Sequence, residues 1–188
     1  MIRIKEKIFK KFVFFIKTIF SLGVIFVVMN ILLYGYCYIT PKLSIHKTQS
    51  YYLYDNENKL IFDDSNDWIE LSKISPYLIK ATLATEDKYY YQHLGFDYSR
   101  IIKAAIKNLK SGSLREGAST ITQQYARNLF LNYDKTWARK VEEALLAAEL
   151  ETHYTKDEIL EGYLNTINYG GVYGIENASW YYFGHSAD

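Results

Sequence analysis

Glu86 is an acid whose position in the sequence could make it a general base. It ends an apolar, helix-forming run and begins the stretch EDKYYYQH. At 100° per residue, a helix through this run places Glu86 on one stripe with Leu83, Tyr90 and His93. A carboxylate in such a row is either a paired structural acid or a desolvated one, and desolvation is one way to prepare a carboxylate for proton abstraction near neutral pH. The stripe leaves both interpretations open. His93 either orients Glu86 or, as most single histidines do, is a hydrogen-bonded member of the fold, whereas Asp87 points away toward a solvated or capping role.

A second acid, Glu143, lies in the stretch RKVEEALLAAELE. Arg139 and Lys140 precede it by four and three residues, so all three side chains share one helix face. The pattern fits an ordinary helical ion pair. It also fits a site where two cations and a carboxylate converge on a ligand with a negatively charged leaving group.

The stretch EGASTITQQYARNLFL separates the two acids. Gly117 and Ala118 lead into a helix N-terminus, where backbone N–H groups and the helix dipole could favour phosphate oxygens. Thr120, Gln123 and Gln124 either recognise a polar group there or do no more than cap and pack. Basic residues are concentrated around this stretch: Arg100, Lys103, Lys107, Lys110, Arg115, Arg127, Lys135, Arg139 and Lys140.

The elements that must position these residues are mainly helical. Hydrophobic periodicity and glycine punctuation predict helices near 75–91, 99–111, 119–131, 135–153, 156–167 and 174–183. The preceding YYLYDNENKLIFDD predicts a small β-hairpin around Asn56, Glu57 and Asn58. With 49% hydrophobic and 17% aromatic residues among 188, the composition excludes disorder. The single Cys37 excludes an intrachain disulfide or a zinc cage.

The N-terminal region differs in charge and hydropathy from the rest. Residues 18–39 are 22 residues without a formal charge, enough to cross a bilayer, and a basic tail at 1–17 precedes them. This asymmetry predicts a single-pass helix with the N-terminus inside and the remainder outside. A cleaved signal peptide is the alternative, although the apolar stretch is long for one. Nucleic-acid binding is disfavoured because residues 48–188 hold 14 basic against 20 acidic residues.

Together the motifs resemble the peptidoglycan glycosyltransferases of family 51, over roughly residues 70–185. The resemblance rests on five stretches in order: EDKYYYQHLG at 86–95, GASTITQQYARNLF at 117–130, RKVEE at 139–143, KDEILEGYLNTINYG at 156–170 and ASWYYFG at 178–184. It implies a mainly α, lysozyme-like domain behind one transmembrane helix. The expected organisation is a cytoplasmic tail at 1–17, the span at 18–39, a stalk with the hairpin at 40–71 and the glycosyltransferase domain at 72–188. The segment that family domains have after YFG is not in this sequence, so we expect a C-terminally short domain.

The resemblance also implies roles. Glu86 would be the general base in the polymerisation of lipid II. Glu143 would assist departure of the undecaprenyl pyrophosphate, directly or through a divalent cation, Mg²⁺ or Mn²⁺. No organic cofactor is implied. Arg127 stands where the family usually has Lys. The expected substrate-binding residues are Asp87, His93, Ser119, Thr120, Gln123, Gln124, Arg127, Asn128, Arg139 and Lys140.

The implied partners are lipid II, the growing glycan strand, the bacterial cytoplasmic membrane and cell-wall synthesis proteins. The basic amphipathic segment 99–111 matches the family's membrane-touching region. Two other functions stay open at this point. One is a catalytically inactive protein that binds lipid II or acts as a cell-wall scaffold. The other is a lysozyme-like lytic enzyme, which needs a catalytic Glu but no phosphate-facing cations.

Overall fold

The protein is mainly helical, as the sequence predicts. The computed structural model describes residues 2–45, 51–57, 60–64, 68–113, 117–132, 134 and 136–188. Arg115, Lys135 and the predicted turn residue Asn58 lie outside this part of the chain. The seven α-helices of the described residues are α1 Ile2–Ile39, α2 Pro76–Glu86, α3 Tyr98–Ser111, α4 Ile121–Phe130, α5 Trp137–His153, α6 Lys156–Thr166 and α7 Ile175–Phe183.

Helix α1 belongs to a compact unit of its own, and residues 41–188 form the other unit. Its segment Phe9–Ile39 is long and apolar enough to cross a membrane, and it includes the predicted span 18–39. At about 1.5 Å per residue, even the 22 uncharged residues of that span are about as long as a hydrocarbon core of ~30 Å is thick.

Two short strands precede the helical body. Strand β1, Tyr51–Tyr54, pairs antiparallel with β2, Leu60–Asp64, in a register that sets Tyr51 opposite Asp64. The register shifts between Leu53 and Tyr54, so the pair contains a bulge-like irregularity. Further along, the indole N–H of Trp68 donates to Glu161 on α6 at 2.8 Å, which ties the segment before α2 to the helical core.

Helix α4 lies at the centre of the body, where it packs against both α5 and α6. Tyr125 on α4 and Tyr163 on α6 are fully buried, and Gly162 lets these two helices approach closely. A Cβ atom at position 162 would lie 2.0 Å from the Tyr125 hydroxyl oxygen, so only glycine fits there. The other fully buried apolar residues of these three helices are Ile121, Ala126, Ala147, Ala148, Leu150, Ile159, Leu160 and Leu164.

The predicted helix at 75–91 is too long. Helix α2 ends at Glu86, because Asp87 leaves helical geometry with φ −156° and ψ 78° and turns its side chain into the protein. Tyr90 then lies in a separate single turn of 3₁₀ helix, Tyr90–Gln92. The continuous stripe that would carry His93 onto the same face as Glu86 therefore does not form.

The loop after this turn passes close to α5 at Gly95. Its φ of +80° is favoured by glycine, and a Cβ atom there would meet the Glu151 side chain at 3.2 Å. The backbone carbonyl of Gly95 accepts a hydrogen bond from the Thr120 hydroxyl at 2.7 Å. The loop is thus fixed between α5 and the start of α4, which holds the segment after Glu86 in place.

Candidate active site

Glu86 lies at the last position of α2, half-buried, with its carboxylate directed toward α4. The side-chain amide of Gln124 donates to Glu86 Oε2 at 3.0 Å. The guanidinium of Arg100, on α3, donates to the backbone carbonyl of Glu86. The carboxylate and the backbone carbonyl of Glu86 are therefore each bonded to a neighbouring helix. The residue is still partly exposed, which leaves room for a ligand to approach it.

Gln124 is itself oriented by a buried tyrosine. The Tyr163 hydroxyl on α6 donates to the amide oxygen of Gln124 at 3.2 Å, which sets the amide N–H toward Glu86. Burial, together with the charge of Glu86, raises the pKa of Tyr163 well above its ordinary value. The hydroxyl consequently stays protonated and remains a donor throughout the physiological range.

Asp87 is a buried structural acid. Its carboxylate accepts the His93 Nε2–H at 3.0 and 3.1 Å, and it accepts the backbone N–H of Ile121 at 3.1 Å. Of the two roles expected for Asp87, the solvated one is wrong, since only 1% of the residue is exposed, whereas the capping one agrees with its contact to the first N–H of α4. Of the two alternatives for His93, the structure shows the hydrogen-bonded one, because helix α2 ends before His93 and the imidazole bonds to Asp87 and not to Glu86. This pair joins the end of α2 to the start of α4.

The N-terminus of α4 is capped by protein groups. Thr120 and Gln123 form a reciprocal capping box, in which Thr120 Oγ1 accepts from the Gln123 N–H and Gln123 Oε1 accepts from the Thr120 N–H. With Ile121 N–H bonded to Asp87, three donors here already have acceptors. This geometry corrects the hypothesis that the helix start offers unpaired N–H groups to phosphate oxygens. Thr120 and Gln123 are buried, so they hold the helix that presents Gln124.

Glu143 lies on α5 with no exposed surface. Arg139 donates to its Oε2 at 2.8 Å, and Lys140 donates to its Oε1. The Arg139 and Lys140 side chains are 15% and 38% exposed, so the acid is buried while both cations reach the surface. A buried charge needs partners to offset its desolvation, and here both carboxylate oxygens have one. The arrangement fixes two cations at the surface of α5.

Lys140 also connects this cluster to the segment before α4. Its ammonium donates to Ser119 Oγ at 3.0 Å. Along α4, Gln124, Arg127 and Asn128 lie three and four residues apart on one half-exposed face. The segment at the start of α4 thus contacts both acids: Gln124 bonds to Glu86, and Ser119 bonds to Lys140 beside Glu143. The predicted binding residues therefore form two groups, one at each acid.

A divalent cation does not fit beside Glu143 as it stands. Both carboxylate oxygens are engaged by Arg139 and Lys140, and those two positive charges would repel a metal ion. Within the described residues, no group of three or more His, Cys, Asp or Glu side chains could hold one. Glu143 with these two partners is therefore not a metal site.

The sequence does not indicate the contacts of two residues at this site. Tyr163 orients Gln124, and Arg100 holds the Glu86 carbonyl. The stretch EGYLNTINYG does not indicate that Tyr163 is hydrogen-bonded to Gln124. Arg100 was identified only as part of a basic helix face, so the pattern gave its charge but not its contact.

Comparisons with known proteins identify the family of this chain. The model of the family described as Transglycosylase matches residues 56–188. Penicillin-binding protein 2D of Bacillus subtilis is 50% identical over 149 residues, which cover 77% of this chain and 22% of that relative. Biosynthetic peptidoglycan transglycosylases of Nitrosomonas eutropha and Chromobacterium violaceum are 50% and 51% identical, each over 62% of this chain.

The chain spans about half the length of these two transglycosylases, 48% and 51%, and a smaller share of the penicillin-binding protein. The family match, residues 56–188, includes Glu86, α4 and Glu143. On this match, the chain belongs to the transglycosylase family, the peptidoglycan glycosyltransferases of family 51.

Proposed function

We propose that this chain polymerises lipid II into β-1,4-linked glycan strands. The observation that carries the proposal is the Glu86 carboxylate, half-buried at the end of α2 and held by the Gln124 amide at 3.0 Å. A positioned carboxylate with one side open to a ligand is what a general base requires. The relatives named as biosynthetic peptidoglycan transglycosylases support the same reaction class.

In the proposed reaction, Glu86 takes the proton from the 4-hydroxyl of the acceptor's GlcNAc. That oxygen attacks C1 of the donor's lipid-linked MurNAc from the face opposite the leaving group. The new C1–O bond is β, the bond from C1 to the pyrophosphate oxygen breaks, and undecaprenyl pyrophosphate leaves with the electron pair. Removal of the hydroxyl proton by such a base contributes a factor on the order of 10²–10⁴ in rate.

The leaving pyrophosphate is anionic, and the cations of α4 and α5 would bind it. Arg139 and Lys140 reach the surface from Glu143, and Arg127 lies on the half-exposed face of α4. Because Glu143 has no exposed surface, we propose that it acts by holding these two cations in position. Cations fixed before the reaction stabilise developing negative charge without a cost of reorganisation.

The substrate and the proposed location fit together. Lipid II is anchored in a bilayer, and α1 is long and apolar enough to keep this chain at one. The six basic residues before the span favour an N-terminus inside a bacterial cytoplasmic membrane and a catalytic domain outside it. At this location, cell-wall synthesis proteins are the partners that we expect.

The test is glycan-strand formation from labelled lipid II by the purified 188-residue chain in detergent. We expect polymer from the wild-type chain and a loss of at least 100-fold in rate for Glu86→Gln. Binding of lipid II, measured separately, should be largely unchanged in that variant because the amide keeps the shape of the side chain.

Glu70→Gln is the matched control, since Glu70 is an exposed acid before α2 and should leave the rate unchanged. A Glu86→Gln variant with a near wild-type rate would refute the assignment of the base. Lipid II binding without polymer from the wild-type chain would favour a non-catalytic binder. Shorter glycans from added strands would favour a lytic enzyme.

A further inference from the structure

The last turn of helix α7 forms an exposed aromatic surface, made of Tyr181, Tyr182 and Phe183. Tyr181 and Phe183 are each 72% exposed, and Tyr182 between them is 50% exposed. The Tyr181 and Tyr182 rings meet edge to face with their centres 4.9 Å apart, and the Tyr182 and Phe183 ring centres are 6.4 Å apart. At about 200 Å² for a whole aromatic side chain, these exposed fractions amount to roughly 400 Å² of continuous surface. A contiguous apolar patch of this size commonly marks an interaction site.

A hollow of about 630 Å³ opens beside the aromatic surface, between α7 and α2. Tyr182 and Phe183 form part of one wall, and Leu78 of α2 forms part of the other. The backbone N–H of Ser75 donates to the Ala187 carbonyl at 2.8 Å, which ties the chain after α7 to the start of α2. Ligand pockets in proteins have volumes of about 300–1,000 Å³, so this hollow has room for side chains of a partner.

Polar groups beside the aromatic surface have partners inside the chain. The indole N–H of Trp180 donates to Glu176 Oε1 at 2.9 Å, and the Tyr182 hydroxyl donates to the backbone carbonyl of Tyr169 at 2.8 Å. The other oxygen of Glu176, Oε2, accepts the Ala187 N–H at 2.8 Å. A partner could therefore cover this region without leaving these groups unpaired, which is a main cost of burying polar atoms.

We propose that two copies of this chain associate through the aromatic surface, with Tyr181 of each copy placed in the hollow between α2 and α7 of the other. A two-fold contact brings a patch against its own copy, so an exposed charge on the patch would meet a like charge. Helix α7, all of whose residues the structure describes, has one charged residue, Glu176, and that carboxylate is bonded within the chain. The aromatic surface is thus suited to contact with itself.

The available area agrees with a dimer. A stable interface buries about 800 Å² on each partner. The aromatic surface supplies about half of this area, and the half-exposed Trp180 and the walls of the hollow supply the rest. The proposal concerns association alone and does not depend on the chain having transferase activity.

Helix α5 provides a matched comparison. Trp137 and Val141, one turn apart, are 88% and 61% exposed, so they too present apolar surface to solvent. The exposed acid Glu142 lies directly beside Val141, so a two-fold contact at this place would bring like charges together. We therefore expect association through α7 and not through α5.

The experiment is photo-crosslinking of the full chain in neutral maltoside, with micelles in large excess over the chain and without lipid II. The probe p-benzoylphenylalanine replaces Tyr181 in the test variant and Trp137 in the control. Both variants keep α1, so chance contact in a shared micelle affects the two probes alike. Products are separated on a denaturing gel, and the crosslinked positions are mapped by mass spectrometry.

We expect at least tenfold more crosslinked dimer from the probe at 181 than from the probe at 137, with crosslinks to residues 75–82 of the other copy. In the chain with the probe at 181, Phe183→Ser should lower the dimer yield at least fivefold, and Val141→Ser should leave it within twofold. Circular dichroism checks that these variants are folded.

Equal dimer yields from the two probes would indicate chance contact or association through α1, and would overturn the proposal. A crosslink from 181 within one chain, or to detergent alone, would overturn it as well, because this chain or the micelle would then cover the surface. An unchanged yield for Phe183→Ser would overturn the placement of the contact. Because no lipid II is present, a failure of the proposed function would leave the dimer yield unchanged.

Discussion

Replacing Glu143 by Gln should destabilise the domain strongly, although the two side chains have nearly the same volume. The carboxylate has no exposed surface and has both oxygens bonded to cations. The substitution removes the negative charge and leaves Arg139 and Lys140 as adjacent positive charges without their counter-ion. Breaking a buried ion pair in this way typically costs about 3–5 kcal/mol.

The exposure of the two cations should bring the cost of Glu143→Gln toward or below the lower end of that ~3–5 kcal/mol range. Arg139 and Lys140 are 15% and 38% exposed, so water can solvate part of their charge once the acid is gone. The glutamine oxygen can still accept one of their hydrogen bonds. We therefore expect a loss of about 2–3 kcal/mol, at or just below the lower end of the range. That is a large fraction of the ~5–15 kcal/mol by which a domain is usually stable.

Urea unfolding of the full chain in detergent, followed by circular dichroism, measures this cost. With a slope of about 2 kcal/mol per molar urea, the midpoint should fall by roughly 1 M. Glu142→Gln is the control, because Glu142 is the exposed neighbour on the same helix and should change the midpoint by less than about 0.3 M. If the cause is charge, Glu143→Gln should cost much less once Arg139 and Lys140 are both glutamine. Equal shifts for Glu143→Gln and Glu142→Gln would refute the reasoning.

Three further changes test other parts of the structure. Gly162→Ala should lower the free energy of unfolding by about 1–3 kcal/mol, measured by the same urea titration, because the new Cβ would lie 2.0 Å from the Tyr125 hydroxyl. Gln124→Ala should slow glycan synthesis roughly tenfold with little change in lipid II binding, because it removes one charged hydrogen bond, about 1.5 kcal/mol, from Glu86. Tyr91 is 53% exposed, and its partial desolvation and its hydrogen bond to Asp157 raise the pKa of its hydroxyl to about 12. Its contribution to stability is therefore present below about pH 10 and lost as pH rises through 12, and Tyr91→Phe should make alkaline unfolding over that window shallower.

Each of these changes has a matched control. Gly117→Ala adds a methyl group where nothing lies within 4 Å and should leave stability nearly unchanged, so equal losses at 162 and 117 would exclude a steric cause. Asn128→Ala, on the same face of α4, should slow the reaction less than Gln124→Ala does. Tyr89→Phe removes an exposed hydroxyl beside Tyr91, and the same change in the alkaline profile from both variants would contradict the assignment to Tyr91.

The sequence predicted most of the helices because their signals are local. The spacing Thr120 to Gln123 and the spacing Thr155 to Glu158 both fit a capping box, and capping boxes do form there, directly before the first residues of α4 and α6. Helical spacing also predicted the pairing of Glu143 with Arg139 and Lys140, because residues three and four apart meet on any helix. Contacts inside one element depend on spacing alone, and spacing can be read from the sequence.

Contacts between elements were not predictable in this way. The helical periodicity of 75–91 ignores the side chain of Asp87, which ends α2 by turning inward to His93 and to the backbone N–H of Ile121. Local helix propensity is worth tenths of a kcal/mol per residue, whereas each hydrogen bond to a buried carboxylate is worth about 1.5–3 kcal/mol. The tertiary partners therefore decide where the helix ends, and no pattern within the run names them.

This early end of α2 also supports the role proposed for Glu86. Had the helix continued, Glu86 would lie within it, on a stripe that the structure buries at Tyr90. Instead Asp87 fixes the chain to the start of α4, and from the next turn of that helix Gln124 reaches the Glu86 carboxylate. Glu86 and Asp87 are adjacent in the chain but lie in different environments. Asp87 is buried and bonded to His93 and to the backbone of Ile121, so it holds α2 and α4 together, whereas Glu86 is partly exposed and is the acid that we propose as the base.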